Sequence, residues 1–177
     1  MNDLNKHITI TPDVHYSIFL QSITENDLEN LRIWKNANNS SFFYKGIISP
    51  EQQTSWYQDY LQREFDYMFM VKDINQNSIG CLGFRLINNY IDLYNIIRGN
   101  HSTLHTSMKD AMYIMLNYIT KLFIYPVQCD VLKNNPAVSW YKKCGFAILK
   151  EFDYYIMTID SSQIPKIDII IKHSYRT

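Results

Sequence analysis

The sequence predicts a single α/β (α+β) domain, spanning residues 1–177, built on one mostly antiparallel sheet with helices on its faces. Three observations lead there. Stretches of strand period and of helical period follow one another in the order β α α β β β α β α β β, a mixture that fits one sheet covered by helices. The 177 residues suit one core, whereas two domains would each be short of apolar material. Hydrophobic residues make up 46% of the chain against 19% charged, the balance of a folded polypeptide.

Residues 1–15 read as a lead-in. In residues 16–23, Ile18 and Leu20 alternate with Ser17 and Gln21, which predicts a strand. Thr24 is a helix N-cap with Asp27 three residues on, and Leu28, Leu31 and Trp34 recur at helical spacing to about Asn36. Ser49, Pro50 and Gln52 open a second helix: Ser caps, Pro occupies the first turn and Gln completes a capping box. Its apolar face carries Trp56, Tyr57, Tyr60 and Leu61. Residues 67–72, 79–86 and 90–97 read as an antiparallel meander with turns at 74–78 and 87–89. Leu104, Met108, Ala111, Met112, Met115, Leu116 and Ile119 mark a long amphipathic helix. Residues 126–132 predict a strand, residues from Asn135 and Pro136 to Lys143 a helix, and Gly145 its left-handed stop. Residues 146–157 and 167–173 predict two closing strands.

Lys+Arg and Asp+Glu balance at 17 each, so no bulk electrostatic attraction to nucleic acid or an anionic membrane is expected. The N-terminal residues show no basic segment leading into an apolar one, and no apolar run is long enough to span a bilayer. Three cysteines, Cys81, Cys129 and Cys144, form no CxxC pair and read as reduced thiols, so a cytoplasmic location is expected. The five histidines show no metal-ligand spacing, and no metal is expected.

The most specific stretch is 134–146, NNPAVSWYKKCGF: an Asn at a strand end, a helix, and a Tyr four residues before Gly145-Phe146. It resembles the C-terminal region of GNAT N-acetyltransferases, and the element order matches that fold from about residue 16 onward. The resemblance implies that two neighbouring parallel strands, here 90–97 and 128–132, splay apart. It implies too that the amide-rich arm of acetyl-CoA fills the gap like an added strand. On the same resemblance, Ile96, Ile97, Arg98, Asn134 and Tyr141 would contact that acyl donor. Its diphosphate would sit ahead of the long helix, at Ser102, Thr103, Leu104, His105 and Thr106. This loop departs from the family pattern: Thr103 and His105 replace two glycines that normally let the backbone approach the phosphates.

The resemblance makes Tyr141 the candidate donor to the leaving thiolate, and a phenol retains its proton at neutral pH. Asp92 stands where many relatives carry a basic Glu, with His101 and His105 as alternatives; on strict alternation it shares a face with Tyr90, Tyr94 and Ile96. Ile96 or Ile97 would offer a backbone N–H to the oxyanion. Cys144 has no His or Asp partner in a recognisable arrangement and reads as a buried thiol.

In the family residues 32–65 would cover the acceptor side, and residues 31–61 resemble the branch acting on nucleotide-linked amino sugars, through Arg32, Trp34 and Asn36, then Ile48, Ser49, Glu51 and Trp56. Arg32 or Lys35 would meet a diphosphate, and Trp34, Phe42, Phe43 or Tyr44 would stack on base or sugar. The resemblance therefore implies an acetyl-CoA-dependent N-acetyltransferase, a monomer or homodimer, acting on a small-molecule amine. A protein N-terminal or lysine acetyltransferase, and a non-catalytic binding domain with a degenerate cofactor loop, stand as alternatives.

Overall fold

Alternating burial builds the sheet strand by strand. The computed structural model describes residues 7–13, 16–99 and 107–174. The predicted phosphate contacts Ser102, Thr103, Leu104, His105 and Thr106 lie outside the described residues, as does His101. Among the described residues, nine strands form one sheet: β1 Ile8–Pro12, β2 Ile18–Ser22, β3 Asp66–Asp73, β4 Ser78–Ile87, β5 Tyr90–Arg98, β6 Val127–Leu132, β7 Ala147–Glu151, β8 Tyr154–Ile159 and β9 Ile169–His173. Their order across the sheet is β7-β8-β6-β5-β4-β3-β2-β1-β9, and β5 and β6 are neighbours that run parallel. Four α-helices among the described residues cover it: α1 Leu28–Ala37, α2 Pro50–Gln62, α3 Ser107–Leu122 and α4 Ala137–Lys143.

β3 shows why both faces are filled. Tyr67, Phe69 and Val71 enter the cluster beneath α3, while Met68 and Met70 enter the one beneath α1 and α2. A strand buried on both sides reads as a nearly continuous apolar run, as this one does. α3 brings Met108, Ala111, Met112, Met115 and Ile119 to the first cluster; α1 and α2 bring Leu31, Tyr57 and Tyr60 to the second. α2 begins at the capping box, with Ser49 Oγ accepting from the Gln52 N–H at 3.2 Å and Gln52 Oε1 accepting from the Ser49 N–H at 2.9 Å.

Three expectations need correction. β1 lies inside the stretch read as a lead-in; Ile8 and Ile10 are buried, and its five residues pair with β9 from the far end of the chain. Residues 146–157 form two strands rather than one: the chain reverses at Phe152 and Asp153, and β7 returns antiparallel to β8. Strict alternation along β5 also fails. Between Tyr94 and Ile97 the register against β4 slips by one residue, and Asn95 adopts φ +50°. This is a β-bulge, and Asn tolerates the left-handed conformation better than most residues. The slip turns Ile96 toward the α3 cluster while Tyr94 packs on the α1/α2 side, so the two do not share a face.

Gly145 ends α4 with φ +96°, and its N–H donates to the Lys142 carbonyl at 3.0 Å. An added Cβ would come no nearer than 3.4 Å to Ile159, so the backbone conformation alone demands glycine. Gly145→Ala should therefore lower stability by about 1–2 kcal/mol, read as a fall of several degrees in thermal unfolding. An unchanged midpoint would refute this.

Candidate active site

β5 and β6 pair at only two positions, Ile91↔Val127 and Asp92↔Gln128, and then diverge. Each is held elsewhere: β5 pairs with β4 out to Arg98, and β6 pairs with β8 along its whole length, from Val127↔Ile159 to Leu132↔Tyr154. The opening between them is a cavity of about 470 Å³. Asp92 to Arg98 form one wall, Asp130 and Val131 the other, and Ala137 and Tyr141 of α4 close the back. Backbone groups along such a wall lack a strand partner, which makes it a site for an extended amide-bearing chain.

Tyr141 is 7% exposed and also lines an adjoining cavity of about 210 Å³ with Ile96, Arg98, Met108 and Trp140. Burial pushes its phenol well above the ordinary value, with Cys129, Cys144 and Asp92 adding to the shift. The group is therefore a proton donor at neutral pH, not a base.

No family model matches the chain, and a search of curated proteins finds no relative. Solved structures do match. Spermidine N-acetyltransferase from Vibrio cholerae, in complex with CoA and spermine, aligns at TM-score 0.71 and 22% identity, over 84% of this chain and 98% of its own. Apo FdhC, a nucleotide-linked sugar GNAT, aligns at TM-score 0.71 and 19% identity, over 84% and 89%. A domain from Methanocaldococcus jannaschii aligns at TM-score 0.69 and 19% identity, over 80% and 97%. The fold is that of the GNAT N-acetyltransferases.

In this GNAT fold a second cavity of about 380 Å³ lies between the sheet and α1/α2, lined in part by Gln52, Gln53, Trp56, Arg63, Met68 and Cys81. It shares Lys35, Tyr44, Arg85, Tyr94, Asn95 and Ile97 with the strand gap, so the two cavities adjoin at the β5 bulge. Asp92 stands beside that junction, near the closed end of the gap. Arg85 donates to its Oδ2 through Nε at 2.9 Å and through its terminal nitrogen at 2.8 Å. Burial holds the Asp92 carboxyl above its ordinary value, with Arg85 opposing the shift. The Arg85 guanidinium also lies 4.9 Å from the Tyr94 ring centroid, and Tyr94 Oη donates to Asp66 Oδ1.

The other predicted residues scatter. Tyr44, 57% exposed, lines both cavities, and Ile96, Ile97 and Arg98 line the gap. Arg32 is bound by Glu29 at 2.6 and 2.8 Å and lines neither cavity. Asn36 pins the α1–α2 loop, accepting from the Ile48 N–H at 2.8 Å and donating to its carbonyl at 2.9 Å. Trp34 packs against the Gly99 backbone, where a side chain would collide with the indole. Asn134 is exposed on the turn before α4. Its neighbour Asn135 lines the gap, caps Ala137 at 2.8 Å and donates to the Ser41 carbonyl at 3.0 Å, joining α4 to the α1–α2 loop.

Sequence reasoning passes over Arg85, Asn95 and Asn135 as site residues. The two-residue turn at Asn88 and Asn89 is the available signal for Arg85: pairing Ile87 with Tyr90 puts Arg85 opposite Asp92. Removing that partner leaves a carboxyl held up by burial and by the charges of Asp130 and Asp66. In Arg85→Met, the Asp92 titration followed by carbon NMR should move to higher pH than in the wild type. An unmoved titration would dismiss Arg85 as the opposing charge.

Proposed function

We propose that the protein is an acetyl-CoA-dependent N-acetyltransferase in which an acceptor amine attacks the thioester directly in a ternary complex. The observation that carries the reading is the gap between β5 and β6, which ends where Asp92 and Gln128 still pair. A pantetheine arm lying along residues 93–98 would reach no deeper than that closed end, which sets its thioester beside Asn95 and Ile96. Arg98 would face the diphosphate end.

The acceptor enters from the α1/α2 cavity. Asp92 takes the ammonium proton, directly or through water; its raised pKa brings it nearer the proton it must accept. The amine then adds to the thioester carbonyl. A β5 backbone N–H at Ile96 or Ile97 receives the developing oxyanion. Collapse breaks the C–S bond, and Tyr141, still protonated, donates to the departing thiolate.

The acceptor cavity supports a small amine that carries an anionic group, such as a nucleotide-linked amino sugar. Lys35, Arg63 and Arg85 line it, and none of its described lining residues is acidic. Arg85 and Arg63 face Asp92 and Asp66 at 2.8 and 3.5 Å, whereas no carboxylate among the described residues pairs with Lys35. Tyr44 and Trp56 offer aromatic faces for a base or sugar. A polyamine would meet like charge there.

Three measurements test the proposal. Calorimetric titration with acetyl-CoA should give micromolar binding, and Tyr141→Phe should keep that affinity while losing at least about tenfold in turnover. No binding at millimolar donor would favour a non-catalytic domain, and undiminished turnover with chemistry rate-limiting would remove Tyr141 from the mechanism. Screened by thiol release, nucleotide-linked amino sugars should react faster than spermidine or peptides. A preference for spermidine would overturn the anionic acceptor.

A further inference from the structure

Lys35 sits at the junction of the two cavities. Its Nζ donates to Asn95 Oδ1 at 2.6 Å and lies 3.2 Å from the Phe42 ring centroid. Asn95 is the bulge residue of β5, so the amine is fixed at the level that the acyl-donor reading assigns to the thioester. The Asn95 amide and the Phe42 ring hold the side chain without neutralising it by an opposite charge.

Burial lowers its pKa to about 8, the buried Cys81 thiol opposing the shift. Roughly a tenth of the population would then carry a free lone pair at pH 7, against less than about one in a thousand for an ordinary lysine. A partly neutral primary amine thus lines the passage in which any acceptor must meet the donor.

We infer that Lys35 is an internal acetyl acceptor: when acetyl-CoA is bound and the α1/α2 cavity is empty, the protein acetylates its own Lys35. The inference rests on the acetyltransferase reading. The Nζ lone pair adds to the thioester carbonyl, an N–C bond forms and the C–S bond breaks. One proton leaves the nitrogen and one is taken up by the departing sulfur, so the products are an N-acetyl-lysine and free CoA thiol. Acetylation removes the positive charge of Lys35 and places an acetyl group in the passage. Both changes oppose entry of an anionic acceptor, so a protein left with donor and no acceptor would silence itself.

The test uses the full chain with acetyl-CoA and no added amine. Peptide mapping by mass spectrometry over time should find one acetyl group on Lys35, appearing at least about tenfold faster than on Lys142 or Lys143, which are exposed on α4 and report chemical acetylation. The rate constant should not change with protein concentration, and the Lys35 advantage should vanish in heat-unfolded protein. Lys35→Arg should show only the slow background. Calorimetry on the same preparation separates the two ideas. Donor binding with Lys35 labelled no faster than Lys142, or with an observed rate constant that rises in proportion to protein concentration, overturns self-acetylation alone. Absence of donor binding overturns the transferase reading and this inference together.

Discussion

The divergence of β5 and β6 is the constraint on which the rest of the molecule depends. Two parallel strands would normally continue to pair, and here they stop after two registered positions. The cause lies on their outer edges. β6 is committed to β8 over all six of its residues, and β5 follows β4 through a bulge that bends it at Asn95. A bulge adds a residue to one strand and increases its local bend. α4 keeps the opening from collapsing, since Tyr141 and Ala137 fill its back and Asn135 ties the helix entry to Ser41 across the gap. The slot is therefore a product of pairing elsewhere in the sheet.

The bulge also decides which chemistry meets which cavity. Without it, residues 92, 94 and 96 would share a face. With it, Asp92 stays beside Arg85 and Tyr94 packs on the α1/α2 side, while Ile96 turns toward the α3 cluster and the small cavity it shares with Tyr141. A single left-handed Asn thus turns residues 94 and 96 to opposite faces of β5.

Local chemistry is legible in the sequence, and long-range pairing is not. The Ser49–Gln52 capping box, the doubly buried run of β3 and the glycine stop at Gly145 each follow from a few adjacent residues. The Arg85–Asp92 pair is available from the hairpin register, and the Glu29–Arg32 pair from its i, i+3 spacing on α1. β1 is hidden because its partner β9 is about 160 residues away, and five residues with two isoleucines carry too little period to stand out. β7 and β8 merge because strand-forming residues flank a turn with only Asp153 to mark it. The bulge escapes for a different reason: Asn95 sits in an otherwise regular run, and nothing beside it breaks the alternation. Around the cavities, Tyr141 stands inside a recognisable motif, whereas the setting of Lys35 depends on Asn95 and Phe42, which only the fold brings to it.

Burial acts on the ionisable groups of this site in one direction. It pushes the Tyr141 phenol, the Asp92 carboxyl and the Cys129 thiol up, raises Cys81 to about 12 and Cys144 to about 11, and lowers Lys35 to about 8. Every shift favours the uncharged form, as desolvation requires. The thiols are thereby removed as nucleophiles, since only the thiolate attacks. The phenol is kept as a donor. The lysine becomes the exception in kind: for an amine the uncharged form is the reactive one. The same low-dielectric surroundings that quiet the three cysteines therefore leave Lys35 as the nucleophile among these groups that burial activates, held at the bulge by Asn95.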